Sequence, residues 1–151
     1  MNIQFGGILI NECNLKFEGD IVPDPTKLKF NFKFFPAYLA NEPNKFGVIF
    51  EFNLNSEDNL FKIYIEAISS FITDVEINDE FKASPFPKIS APAIAFPYLR
   101  TFISNLMLNS GYQPVNLPSV NFVKIVEDTD RKINSESTNK PTKGVKRKKA
   151  K

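Results

Sequence analysis

The sequence predicts an α+β fold: an antiparallel sheet in meander order, followed by two helices packed on one of its faces. Three observations carry this. The first 80 residues contain segments in which apolar and polar side chains alternate, the period of a half-buried strand. Residues 97–111 instead repeat apolar side chains at helical spacing and stop at a glycine. Strands therefore come first and helices last, an order that points to helices layered on an antiparallel sheet.

The elements follow in chain order. In the first strand, Ile8 and Ile10 fall on one face while Cys13, Leu15 and Phe17 fall on the other. A bulge near Asn11 and Glu12 reconciles the two parities. Pro23 and Pro25 end this element. Residues 27–34 alternate without a fault and place Leu28, Phe30, Phe32 and Phe34 on one face. Residues 36–43, bounded by two prolines, read as a loop. Residues 48–54 alternate again, with Val48, Phe50, Phe52 and Leu54 inward. The polar run Ser56, Glu57, Asp58 and Asn59 is a turn that joins this strand to one over 60–68 as a hairpin, with Phe61, Ile63 and Ile65 on the core face.

Residues 84–92 carry three prolines and read as an ordered connector. The helix after it is expected to hold Pro97 in its first turn, where a missing N–H costs nothing. Leu99, Phe102, Ile103 and Leu106 form its apolar stripe, with Met107 on the flank. Gly111 ends it in a left-handed conformation. After a loop over 116–119, Asn121 caps a second helix starting near Phe122, whose apolar face is Phe122, Ile125 and Val126. Large apolar residues thin out from Glu127 on. The expected division is a folded domain over 1–134 and a disordered lysine-rich tail over 135–151.

Composition excludes several function classes. The 151 residues include no histidine and one cysteine, Cys13. A Cys/His zinc site and a Ser-His-Asp triad are thereby ruled out, as is an internal disulfide. The single cysteine fits a reducing compartment. Gly6-Gly7 lacks the lysine and spacing of a phosphate-binding loop. No metal, cofactor or catalytic residue is implied, and an enzyme is not expected. Gln4, Asn11 and Glu12 interrupt any early signal-like run, and no apolar run is long enough to span a membrane.

The net charge of +2 conceals an asymmetry. Lys140, Lys143, Lys146, Arg147, Lys148, Lys149 and Lys151 leave residues 1–139 with 12 basic and 17 acidic side chains, a net of −5. A basic tail suits an acidic partner, an anionic lipid or nucleic acid. A nucleic-acid-binding module would want basic residues on the folded body as well, and the acidic body argues against it.

Two motifs resemble one known family. The pattern Phe-Pro-Tyr-x-Arg at Phe96, Pro97, Tyr98 and Arg100, and Asn-Leu-Pro-x-Val-Asn-Phe from Asn116 to Phe122, resemble SecB, the bacterial protein-export chaperone. Asn14-Leu15-Lys16-Phe17-Glu18 is similar to the family's first strand and Tyr64-Ile65-Glu66 to its fourth. The resemblance implies a four-stranded sheet followed by two helices, a cytoplasmic tetramer built as a dimer of dimers, and holdase activity without ATP on unfolded clients. It implies a client groove that includes Phe30, Phe32, Phe34, Phe122, Ile125 and Val126. It implies a face for the translocation ATPase SecA at Asn14, Glu18, Tyr64 and Glu66, with Asn14 standing where the family often has a carboxylate.

The polar back of the long helix, Thr101, Ser104 and Asn105, is expected to face another subunit. The sixteen phenylalanines are more apolar area than a two-layer domain this small readily buries, so a surplus is left for grooves and interfaces. Two features depart from the family: a shorter, more charged second helix, and a lysine-rich tail where the family's is acidic. The alternative in the same class is a dedicated chaperone of a toxin–antitoxin system.

Overall fold

A computed structural model describes residues 1–138. Four antiparallel strands form one sheet: β1 (Ile3–Phe17), β2 (Lys29–Tyr38), β3 (Lys45–Asn55) and β4 (Phe61–Thr73). A short helix α1 (Asp79–Ala83) and a π-helical turn (Phe86–Ser90) lead into α2 (Ala91–Asn109), and α3 (Phe122–Thr138) follows a loop. Sheet first and helices second is the expected α+β order.

The meander covers β2, β3 and β4. β1 does not join beside β2; it pairs with β4, so the strand order is β1-β4-β3-β2. Residues 18–28, with a 3-10 turn at Pro25–Lys27, therefore carry the chain from one sheet edge to the other. Alternation sets which face a strand buries but not which neighbour it takes, and this is why the order was not legible.

β1 shows the anticipated bulge. Its register against β4 shifts between Ile10 and Glu12, so Ile10 and Cys13 both fall on the helix side. A second shift lies between Phe5 and Gly7, where Gly7 takes φ +111°. The expected loop at 36–43 is shorter: Pro36, Ala37 and Tyr38 continue β2 opposite Val48, Gly47 and Phe46. β2 is an edge strand, and a proline whose nitrogen faces the open side breaks no ladder bond.

The core lies between the sheet and α2. Phe46, Val48, Phe50, Phe52 and Leu54 of β3, and Phe61, Ile63, Ile65, Ala67 and Phe71 of β4, are buried against Ala95, Phe96, Leu99, Ile103 and Met107. The helix starts six residues earlier than expected. Pro92 sits near its start and Pro87 in the preceding π-helical turn, while Pro97 is interior. Pro97 leaves the Ala93 carbonyl without its helical donor, at a place where both residues are exposed to solvent. The buried stripe runs through Leu99, Ile103 and Met107, leaving Phe102 and Leu106 half-buried, so Met107 is central rather than flanking. At the far end, Tyr112 N–H donates to the Met107 carbonyl (2.9 Å) and Gly111 N–H to that of Leu108 (3.2 Å), with Gly111 at φ +88°. This is the paired closure expected of a glycine stop.

Val115 and Leu117 drop into the core and pin the α2–α3 loop, which Ser104 also holds by donating its hydroxyl to the Val115 carbonyl (2.9 Å). Asn121 caps α3 as expected, its side-chain oxygen accepting from Lys124 N–H (3.1 Å). α3 then continues through Thr138, past the expected domain boundary at 134. Residues 139–151 of the expected tail lie outside the described residues.

Candidate functional site: an apolar groove at the β2 edge and a carboxylate row on the opposite face

The expected client residues converge where β2 meets α3. Strand alternation turns Phe30, Phe32 and Phe34 to the helix side, and all three stay half-buried because β2 has no outer neighbour. Phe122 lies beneath them. Its ring contacts Phe34 (5.1 Å between centroids, edge-on), Phe96 (5.7 Å) and Phe32 (6.1 Å), and only 5% of it is exposed. One helical turn on, Ile125 and Val126 stand half-buried beside β2. Phe32, Phe34, Pro36, Ile125 and Val126 line an open cavity of about 400 Å³, rimmed by Lys33, Lys88, Thr129 and Asp130.

The structure thus sorts the six residues. Phe32, Phe34, Ile125 and Val126 are groove walls. Phe122 is floor, part of the core. Phe30 stacks on Phe52 (5.8 Å) outside this cavity.

A second apolar opening was not anticipated. Ile21 and Val22, in the crossing between β1 and β2, are 85% and 56% exposed and line a cavity of about 430 Å³ with Phe17, Leu28 and Phe61. Their signal in the sequence was adjacency to Pro23, which marks a loop where apolar side chains find no cover.

The other sheet face carries charge. Glu12 pairs across to Glu66, Glu66 to Glu51, and Glu51 to Lys33, one row across all four strands. Asn14 and Tyr64 pair in the next row. All three carboxylates and burial push the Tyr64 phenol above its usual value, burial foremost. Of the expected docking residues, Asn14, Tyr64 and Glu66 come together. Glu18 does not: it lies beyond the strand end, engaged by Lys16 at 2.8 Å, which holds its carboxyl below the usual range. Glu12 and Glu51 were missed. Glu12 reaches this face only through the Asn11 bulge, and both align with Glu66 only once the register is known.

On α2, Thr101 donates its hydroxyl to the Pro97 carbonyl (3.0 Å), and Ser104 is turned toward Val115. Asn105 is exposed between Tyr98 and Leu108, which are 52% and 59% exposed. The exposed stripe of α2 is therefore Ile94, Tyr98, Thr101, Asn105 and Leu108, more apolar than expected. Cys13, exposed at the β1 edge, has its thiol pushed up by partial burial, so it is a poor nucleophile. Among the described residues no carboxylate or cysteine group could hold a metal ion, and no helix is long and apolar enough to cross a membrane.

A sheet layered with helices, an aromatic groove open to solvent and a flat charged face define a binding protein of the α+β class. The family is named by comparison. The profile of preprotein translocase subunit SecB matches residues 26–132, and the chain belongs to the SecB family.

An uncharacterised protein of Methanocaldococcus jannaschii is 28% identical over 146 residues, 85% of this chain and 92% of that one. The protein-export protein SecB of Ruegeria sp. is 29% identical over 94 residues, 59% of this chain and 56% of that protein. The fold is shared with the Mycobacterium tuberculosis SecB-like chaperone solved with a peptide of the HigA1 antitoxin. That likeness has a TM-score of 0.61 and 16% identity, and covers 78% of this chain and 90% of that one.

Proposed function

We propose that the protein is an ATP-independent holdase that binds unfolded preproteins in apolar grooves and passes them to the Sec translocation machinery. Family membership supports a chaperone role. The observation that carries the reading to residues is the open cavity lined by Phe32, Phe34, Ile125 and Val126, half-buried side chains set over an aromatic floor. Such a wall accepts apolar side chains of many shapes, and the open β2 edge offers backbone groups to an extended chain. Ile21 and Val22 extend the client surface.

Each contact is weak. A long client spanning several grooves gains about 10²–10⁴ in avidity over one site. Binding the unfolded chain and not the native one holds it unfolded by mass action. The exposed stripe Ile94, Tyr98, Thr101, Asn105 and Leu108 joins protomers as a dimer of dimers, which multiplies the grooves. The face bearing Asn14, Tyr64 and Glu66, with Glu12 and Glu51, receives a basic segment of a SecA-type ATPase. The test is suppression of aggregation of a denatured client without nucleotide. Unimpeded aggregation at a fourfold excess of protein would overturn the holdase reading.

A dedicated role in a toxin–antitoxin system is favoured by one observation, the antitoxin peptide bound to the Mycobacterium tuberculosis protein of the same fold. Calorimetry with a SecA-type ATPase separates the two: binding to the acidic row supports export, and its absence with intact holdase activity supports a single dedicated client.

A further inference from the structure

The outer face of the sheet bears an apolar trough that the folded domain leaves uncovered. Leu9, Ile68, Ile49 and Phe35 pair across the four strands as one row. Leu9 is 63% exposed and Phe35 43%. Beside this row the strands carry Gly7, Ser70, Gly47 and Ala37, again in register. These small residues leave a depression of about 440 Å³, lined also by Leu39. Side chains cannot easily replace the glycines. A Cβ on Gly47 would lie 2.8 Å from the Ser69 carbonyl oxygen, and Gly7 holds φ +111°.

The row of Glu12, Glu66 and Glu51 runs along the other side, about 7 Å away on β3 and β4. Like charges directly opposite one another cost stability. None of the three forms an ion pair among the described residues, although Lys33 stands at the row's β2 end opposite Glu51. Of the other lysines of this face, Lys16 is engaged by Glu18, Lys29 by Glu57 and Lys45 by Glu42, while Lys62 stands two rows from the glutamates, beyond Tyr64. The face thus asks for one aliphatic side chain next to several cations.

We infer that the occupant is this chain's own C-terminal segment, residues 141–151, with Val145 in the trough and Lys146 to Lys149 along the glutamate row. In residues 140–151 Val145 is the one aliphatic residue larger than alanine, and Lys146, Arg147, Lys148 and Lys149 follow it directly. The reach is sufficient. Asp130 of α3 and Lys33 of the glutamate row line the same cavity, so α3 passes the β2 edge at that row. α3 ends eight residues later, about 12 Å along its axis. Val145 lies seven residues beyond that end, within roughly 25 Å when extended, and the sheet is about 14 Å from β2 to β1. The tail then shields the face proposed to receive a basic partner, yet its docking stands whether or not such a partner exists.

Isoleucine-methyl NMR spectra of the full chain and of a chain ending at Asn139 test this. On truncation the methyls of Ile49 and Ile68 shift, while those of Ile63, Ile65 and Ile103 stay. High salt drives the full-chain spectrum toward the truncated one. The substitution K146Q/R147Q/K148Q/K149Q in the full chain, which leaves the folded domain untouched, reproduces the truncation. A peptide of residues 141–151 restores the shifts in the truncated chain. E12Q, E51Q and E66Q each weaken it about twofold, and Val145→Ser in the peptide weakens it further. Unmoved Ile49 and Ile68 would overturn the inference. So would a shift confined to Ile125, which would put the tail in the client groove, or equal restoration by oligolysine of the same length, which would leave the trough no part.

Discussion

Phe122 and Ile125 lie three residues apart on α3, and the structure assigns them different work. Phe122 is 5% exposed, with its ring against Phe32, Phe34 and Phe96. Truncation to alanine removes those ring contacts and leaves a cavity that packed neighbours fill only in part. Such losses cost about 3–5 kcal/mol, and at about 2–4 °C per kcal/mol for a chain of this size the melting point falls by roughly 6–20 °C. Ile125 lines the open cavity and is half-buried. Ile125→Glu gives up half of a side chain's burial and turns its charge out to water through the open cavity, a loss of about 1 kcal/mol, so melting falls by roughly 2–6 °C.

The same glutamate presents an unpaired charge to any apolar side chain entering the groove. Burying it costs enough to lower client affinity by about tenfold or more. Thermal melts and titration of a denatured client on both variants decide the matter. If Ile125→Glu melted like Phe122→Ala while binding client as the parent does, Ile125 would belong to the core and the groove would lose its wall.

Three further outcomes are expected. Gly47→Ala, in the middle of the sheet, forces a Cβ to 2.8 Å from the Ser69 carbonyl oxygen and 3.1 Å from Ile68, so it destabilises by about 1–3 kcal/mol in a denaturant titration. Tyr98→Glu, on the exposed stripe of α2, converts the proposed dimer of dimers to smaller species in sedimentation velocity; a parent chain already monomeric at micromolar concentration would remove the premise. Asp58 accepts from the Ser56 hydroxyl (2.6 Å) and Leu60 N–H (3.1 Å), and these bonds hold its carboxyl below the ordinary 3.8. The folded pKa is depressed, so the contribution is complete above that ordinary value and is lost as pH falls through the lowered one. Asp58→Asn should flatten the acid limb of the melting curve below about pH 4 and leave its shape near pH 7 unchanged.

Alternation made β2, β3 and β4 legible, because each buries one face against α2 and exposes the other. The parity break in β1 was strong enough to place the Asn11 bulge. The break at Gly6 was also present, since Ile3 and Phe5 sit out of phase with Ile8 and Ile10, but two apolar residues are a short signal. Prolines misled three times, the first over 84–92, where Pro87 and Pro92 lie in helical turns and not in a connector. Pro36 continues an edge strand, and Pro97 sits inside α2 at an exposed position.

At the site, the aromatic face of β2 was readable and the distinction between Phe122 and Ile125 was not. Burial depends on what α2 and the sheet bring to each turn of α3. The glutamate row needed the register of four strands, which no single segment of sequence contains.

The pairing of β1 with β4 has a consequence for how the protein is made. Ile3 meets Thr73 and Phe17 meets Phe61, so the first strand synthesised closes the sheet over the longest sequence separations. A nascent chain emerging at about 5–20 residues per second holds that strand without its partner for roughly 3–10 seconds. During that time Ile8, Ile10, Leu15 and Phe17 are an unsheltered apolar stretch, while the β3–β4 hairpin has only nearby partners to find. The N-terminal strand is the segment most exposed to mispairing on the ribosome, and a protein proposed to shelter other unfinished chains passes through such a state itself.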